Sequence, residues 1–340
     1  MLVFGLAAGL WGLGHLLRAP LALRLSLLAG LWAAVVLAHL LLPEGAGLRQ
    51  TLGGSAASWG VLGGLAVLVL TYATGLKWLK AKATPKPTEE GPFRQAELDR
   101  YSRHILLREI GGPGQMRLKS AKVLVVGAGG LGSPALLYMA ASGVGTLGVI
   151  DDDRVEGSNL QRQIIHADQR IGMAKVQSAE IAVKALNPFV EVRPYQRRLD
   201  ETIAEALIAD YDLVLDGTDN FDTRYLVNRV CAKLGKPLIA GAMTQWEGQL
   251  SLYDPAHGTP CYECVFPERP LPGMVPACAE AGVAAPLPGI IGAMMAMEAV
   301  KYLTGAGETL AGRLMLHDAL HAESRVITVK RRPGCAACGV

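Results

Sequence analysis

The sequence predicts an α/β fold: a mainly parallel sheet with helices against it, continued by a second, β-rich half and preceded by a separate block of apolar helices. Three observations point there. Charge is distributed unevenly, residues 1–76 holding only Arg18, Arg24, Glu44 and Arg49 of the 33 basic and 30 acidic side chains. From about residue 93 onward, short β-branched runs alternate with helical ones, the pattern of a parallel sheet. The first of those runs ends in a glycine-rich turn and the second closes on an aspartate. A net charge of +3 leaves no basic surface of the kind nucleic acid demands, so nucleic acid is not an expected partner.

The apolar block comes first along the chain. Residues 1–17, 26–42 and 58–76 are three runs, each near the length that spans a hydrocarbon core of about 30 Å. Arg18-Ala19-Pro20 breaks the first from the second, and Pro43-Glu44-Gly45-Ala46-Gly47 the second from the third. Trp11, Trp32, Trp59, Tyr72 and Trp78 supply amphipathic rings, those near run ends suiting a membrane interface. A signal peptide alone does not account for the block, because the first run lacks a basic start and an Ala-x-Ala site, and the later runs would remain. Residues 1–80 are therefore expected to be a membrane segment of two or three transmembrane helices, followed by a polar linker over 81–92 and a globular domain over 93–340. Arg18 and Arg24 flank the first junction, and Lys77, Lys80, Lys82 and Lys86 come after the third run. With three spans this bias puts the N-terminus outside and the globular domain on the cytoplasmic face of the inner membrane.

The globular part opens with an amphipathic helix carrying Leu98, Tyr101, Ile105, Leu106 and Glu109, with Gly111-Gly112-Pro113-Gly114 expected as its stop. A strand at 122–126 runs into Gly127-Ala128-Gly129-Gly130-Leu131-Gly132, then a helix at 134–142 and a strand at 146–150 ending at Asp151. Strand, glycine turn, helix, strand and acid make a Rossmann-like nucleotide-binding unit, in which backbone N–H groups meet phosphate and the carboxylate reaches ribose hydroxyls. Further strands are expected near 190–194, 211–216 and 237–240, and in the second half near 249–253, 313–317 and 325–329, with a helix over 288–303.

On the glycine turn alone, a nicotinamide oxidoreductase would be the default reading. The residues beyond it favour a triphosphate. Asn159, Arg162 and Lys175 add donors and positive charge near the turn, and the strand at 211–216 ends in Asp216-Gly217-Thr218-Asp219-Asn220, where a strand-end carboxylate suits Mg²⁺. Nicotinamide chemistry has no use for that set.

All six cysteines lie beyond residue 230. Cys261-x-x-Cys264 and Cys335-x-x-Cys338 have the spacing of a tetrahedral zinc site, with a redox dithiol as the competing reading. Cys278 comes after a proline- and glycine-rich stretch, and Cys231 is expected as a small buried hydrophobe. His104, His166, His257, His317 and His321 show no ligand spacing and receive no role.

These motifs, together with Arg100-Tyr101-Ser102-Arg103-His104, Ser158-Asn159-Leu160-Gln161-Arg162-Gln163, Glu247-Gly248-Gln249 and Pro333-Gly334-Cys335, resemble the MoeB/ThiF branch of the ubiquitin-activating-enzyme superfamily. The likeness covers about residue 93 to 340 and leaves the first 80 unexplained. It implies an adenylyltransferase that uses ATP and Mg²⁺ to activate the C-terminal glycine of a small ubiquitin-like sulfur carrier ending in Gly-Gly, with structural Zn²⁺ on the four paired cysteines. By resemblance, Gly127, Gly129, Gly130, Asp151, Asn159, Arg162, Lys175, Asp219 and Asn220 would bind the nucleotide. Asp151 would take the ribose, Arg162 and Lys175 the phosphates, and Asp219 the magnesium. Arg103 would reach across a homodimer interface, and Cys278 matches a position where some members form a sulfur linkage with the carrier. Pro286, Ile290-Ile291-Gly292 and Met297-Glu298-Ala299 lean toward the molybdenum-cofactor (MoeB) type, with the thiamine-pathway (ThiF) type as the alternative. No rhodanese segment is expected after Cys338, so sulfur would come from a separate donor. A membrane-held scaffold without catalysis is the remaining alternative of a different class.

Overall fold

The computed structural model describes residues 2–83, 91–271 and 281–339. The chain divides into two compact units, Met1–Glu90 and Gly91–Val340.

The first unit contains helices α1 (Leu2–Leu16), α2 (Leu21–Leu41), α3 (Gly47–Leu52) and α4 (Ala56–Ala83). Two of them, Leu21–Leu41 and the Ala56–Leu79 stretch of α4, are long and apolar enough to cross a membrane. At 1.5 Å per residue, 21 residues reach about 32 Å, whereas the 15 residues of α1 reach only about 22 Å. The first apolar run is cut short because Arg18 takes a left-handed backbone, φ 53°, and Pro20 caps the next helix. The Trp32 indole N–H donates to the Trp59 carbonyl at 2.8 Å, and that of Trp59 to the Gly53 carbonyl at 2.9 Å, tying α2 to the start of α4. Val3, Val35 and Trp59 form a small core, while Leu65, Val67, Leu68 and Val69 stand exposed. An apolar surface of that extent in a soluble monomer would be an association liability.

The second unit begins with α5 (Gln95–Ile105) and α6 (Gly111–Ser120). The Gly111–Gly114 run does not end a helix as expected; it forms the first turn of α6, where a proline's missing N–H costs no intrahelical bond. The chain continues through β1 (Lys122–Val126), α7 (Gly132–Ser142), β2 (Thr146–Ile150), α8 (Lys175–Leu186), β3 (Glu191–Tyr195), α9 (Ala204–Ala209), β4 (Leu213–Asp216), α10 (Phe221–Leu234), β5 (Leu238–Met243), β6 (Glu247–Tyr253), α11 (Tyr262–Val265), α12 (Leu287–Thr304), β7 (Arg313–Asp318) and β8 (Glu323–Thr328). Expected and observed strands agree to within a few residues. The expected β-rich second half is present: β6, β7 and β8 extend the same eight-stranded sheet, in the order β3-β2-β1-β4-β5-β6-β7-β8.

Pairs β3–β2, β2–β1, β1–β4 and β4–β5 are parallel, and the three pairs beyond β5 antiparallel. The parallel part is buried on both faces. Val123 and Val125 of β1 join Leu136, Met139, Ile291 and Met295 on one side, while Leu124 and Val126 join Tyr211, Val214 and Tyr253 on the other. Strand order reverses between β1 and β4, so a crevice opens beyond their carboxyl ends.

The turn from β1 to α7 depends on glycine. Gly127 has φ 92°, and a Cβ at Gly132 would lie 1.9 Å from the Gly127 carbonyl oxygen. Helix propensity alone favours alanine at position 132 by about 1 kcal/mol. The backbone clash outweighs that gain, and we expect Gly132→Ala to lower the melting temperature by roughly 4–8 °C in thermal unfolding of the full chain, the shift of a net loss near 2 kcal/mol. An unchanged or raised melting temperature would contradict the close approach.

Candidate nucleotide site

The crevice is a cleft of about 950 Å³. Gly127, Gly129 and Gly130 line it together with Asp151, Lys175, Asp219 and Asn220. Each comes from the carboxyl end of a parallel strand or the start of a helix, where side chains of distant sequence converge.

Asp151 comes directly after β2. Its carboxylate accepts the Ala128 N–H at 2.8 Å and the Asp153 N–H at 2.9 Å, which fixes it against the glycine turn. Burial pushes its carboxyl up, against the pull of Lys175 and of those two N–H groups. Lys175 is the first residue of α8 and only 5 % exposed, with its ammonium 2.7 Å from Asp153. A cation at a helix N-terminus opposes the helix dipole. Both positive ends point to an anion as the natural occupant of this corner.

Arg162 also lines the cleft, and its guanidinium donates to the Asn159 side-chain oxygen at 3.0 Å. Asn159 itself is not part of the cleft wall; it orients Arg162 and donates to Glu156 at 3.4 Å. Asn220 lines the cleft, yet its side-chain oxygen caps α10 by accepting the Thr223 N–H at 2.8 Å. Asp219, one residue earlier, is exposed to the cleft. Arg103 lies exposed on α5 and away from this cleft. Cys278 lies outside the described residues.

Sequence patterns missed the buried pair beneath the Asp219 loop. Asp216 is fully buried, and one carboxylate oxygen accepts both the N–H and the hydroxyl of Thr218, at 2.9 and 2.6 Å. The other lies 3.8 Å from the Arg224 guanidinium, which donates to the carbonyls of Thr218 and Gly241 at 2.6 and 2.8 Å. Asp216 and Arg224 thus hold the loop that presents Asp219. Arg197, Arg198 and Arg325 add positive charge to the cleft wall from segments with no local motif to announce them.

The four paired cysteines meet as their spacing predicts. Cys261 Sγ lies 3.7 Å from Cys264 and 3.6 Å from Cys335, and Cys264 lies 3.6 Å from Cys338. Those separations are far too long for disulfides, at about 2.05 Å. They match the ~3.8 Å edge of a tetrahedron with metal–sulfur bonds of ~2.3 Å. Asn228 donates toward Cys261 Sγ at 3.9 Å and accepts the Tyr262 N–H at 2.8 Å, a support of the kind metal ligands usually have. Cys231 is buried among apolar neighbours, as expected.

A model of the ThiF family matches residues 101–337. The chain is 51 % identical over 251 residues to a sulfur carrier protein adenylyltransferase of Thermus thermophilus, covering 73 % of this chain and 93 % of that protein. It is 49 % identical over 243 residues to a SAMP-activating enzyme E1 of Haloferax volcanii, covering 72 % of this chain and 89 % of that protein. Among solved structures, E. coli MccB with ATP shares the fold at TM-score 0.62 and 23 % identity, over 71 % of this chain and 75 % of that one. A β1–α7 glycine turn, a strand-end aspartate loop and a match from Tyr101 onward lead to one conclusion: this chain belongs to the ThiF family.

Proposed function

We propose that the chain is a membrane-held adenylyltransferase of the MoeB type, which uses Mg·ATP to adenylate the C-terminal glycine of a small ubiquitin-like sulfur carrier and releases pyrophosphate. One observation carries the reading: the glycine turn, the buried Lys175 and the exposed Asp219 converge in one cleft, in a chain 51 % identical to a sulfur carrier protein adenylyltransferase.

The chemistry asks little of acid–base groups. A terminal carboxylate is ionised at pH 7 and attacks the α-phosphorus without a general base. One carboxylate oxygen forms a bond to phosphorus, the bond to the β-phosphate bridging oxygen breaks, and pyrophosphate leaves with the electron pair. The protein's contribution is alignment and neutralisation of the departing charge. Asp151 receives the ribose hydroxyls, the N–H groups of the glycine turn face the phosphates, and Lys175 and Arg162 draw charge toward the leaving group. Asp219 would hold Mg²⁺, which when bound screens the phosphate oxygens from the incoming carboxylate. Arg103, exposed on α5, would complete a second copy's cleft in a homodimer. A separate sulfur donor would then convert the acyl-adenylate to a thiocarboxylate.

Zinc is proposed on Cys261, Cys264, Cys335 and Cys338, where it would clamp the end of the chain to the α11 turn without taking part in catalysis. Burial pushes the Cys261 thiol up, so a cation is needed to hold it as thiolate. The apolar helices α2 and α4 are proposed to span the inner membrane and hold the catalytic unit on its cytoplasmic face, where ATP is available.

ATP–pyrophosphate exchange in the presence of a Gly-Gly carrier checks the activity, and we expect Lys175→Ala to cut it by about 10²–10³-fold. Absence of exchange with the native chain would refute adenylation. Metal analysis should find about one zinc per chain, lost when Cys335 and Cys338 are replaced by serine; a native chain without zinc would refute the clamp. In membrane fractions the full chain should resist alkaline extraction, and protease outside spheroplasts should leave the globular unit intact. Release by alkali, or cleavage of that unit, would contradict the anchor or its orientation.

A further inference from the structure

The glycine turn is held from a second side by a residue that no motif marks. Ala128 is fully buried; its N–H donates to Asp151, and its carbonyl lies 2.9 Å from His166 Nε2. The other ring nitrogen of His166, Nδ1, lies 2.9 Å from the Ser178 hydroxyl. A carbonyl only accepts, so Nε2 carries the proton, and Nδ1 of the neutral ring accepts from Ser178. Burial, helped by Lys175 and Arg170, pushes the imidazole down to about 4, which leaves the ring neutral at physiological pH. Ser178 sits three residues after Lys175 on α8, one turn along the same face. A single imidazole thus joins the turn that faces phosphate to the helix that starts at Lys175.

We propose that His166, in its neutral Nε2–H form, is a positioning residue for the nucleotide: it fixes the Ala128 peptide so that the turn's N–H groups face the phosphates, and it keeps Lys175 in register with them. The proposal rests on the adenylation reading. Without the ring, the Ala128 carbonyl is a buried acceptor with no partner, and the peptide lowers its energy by rotating toward another donor. Rotation of the Ala128–Gly129 peptide would swing a carbonyl dipole toward the phosphates and turn the Gly129 N–H, which shares that plane, away from them. The loss falls on ground-state nucleotide binding more than on the reacting atoms.

Two substitutions separate this role from packing. His166→Gln keeps an N–H donor at the reach of Nε2, whereas His166→Asn reaches only the Ser178 side. In detergent-solubilised full chain, we expect His166→Asn to weaken ATP affinity about tenfold by calorimetry, with pyrophosphate exchange at saturating ATP within about threefold of native. His166→Gln should recover affinity to within about threefold of native. Equal impairment of the two, or native affinity in both with only a lower melting temperature, overturns the proposal while leaving adenylation intact. A native chain that binds no ATP overturns both. Should His166→Asn fail to fold, the native chain carries its own signature: the imidazole ¹⁵N shifts of a neutral Nε2–H ring, steady from about pH 5.5 to 8. A protonated or Nδ1–H ring in that range overturns the assignment.

Discussion

The distance between the Gly127 carbonyl and the start of α7 governs the rest of the catalytic unit. A side chain at position 132 would stand 1.9 Å from that oxygen, so the chain leaves β1, turns and enters α7 with no room between the two. That tightness brings the first turn of a helix, with its unpaired N–H groups, against the end of a strand. Asp151 then pins the turn through the Ala128 N–H, and the reversal of strand order between β1 and β4 leaves open space directly beyond it. Relax the turn and the glycine corner, the Asp151 carboxylate and the entrance of α8 lose a common reference.

Around that corner the protein buries charge, which is costly unless each group is held. Lys175 is 5 % exposed and paired with Asp153, which stays in solvent. Asp216 and Arg224 are buried together, with three of their hydrogen bonds spent on the Thr218 and Gly241 backbone. Such a pair adds little net stability compared with apolar residues of equal volume. What it supplies is placement: Asp219 and Asn220 stand at the cleft wall because the peptide before them cannot move.

The sheet was legible in the sequence wherever the pattern was local. Alternating β-branched runs located the strands, the glycine turn located the cleft, and paired cysteines with the right spacing converged as their chemistry requires. The strands of the second half, β6, β7 and β8, were legible one by one; their order in the sheet was not, because β6 and β7 pair across residues 254–312 and neither strand marks its partner. The Gly111–Gly114 run misled for a different reason: the same residues that stop a helix also serve in the first turn of the next. The residues that hold the turn and loop, and the added charge of the cleft wall, escaped because their signal is purely tertiary. His166, Arg224 and Arg198 are ordinary residues in sequence, and only folding brings them to the turn, the loop and the cleft wall.

Two units with opposite solvent preferences share this chain, one with apolar helices exposed along most of their length and one with a buried catalytic sheet. For the second, geometry and family together point to chemistry at the α-phosphate. Mass analysis of a Gly-Gly carrier incubated with the full chain, ATP and Mg²⁺ tests that claim most directly. Adenylation predicts a carrier heavier by one adenylyl group at its C-terminus, with pyrophosphate released in equal amount. An unmodified carrier alongside ADP and inorganic phosphate would contradict it.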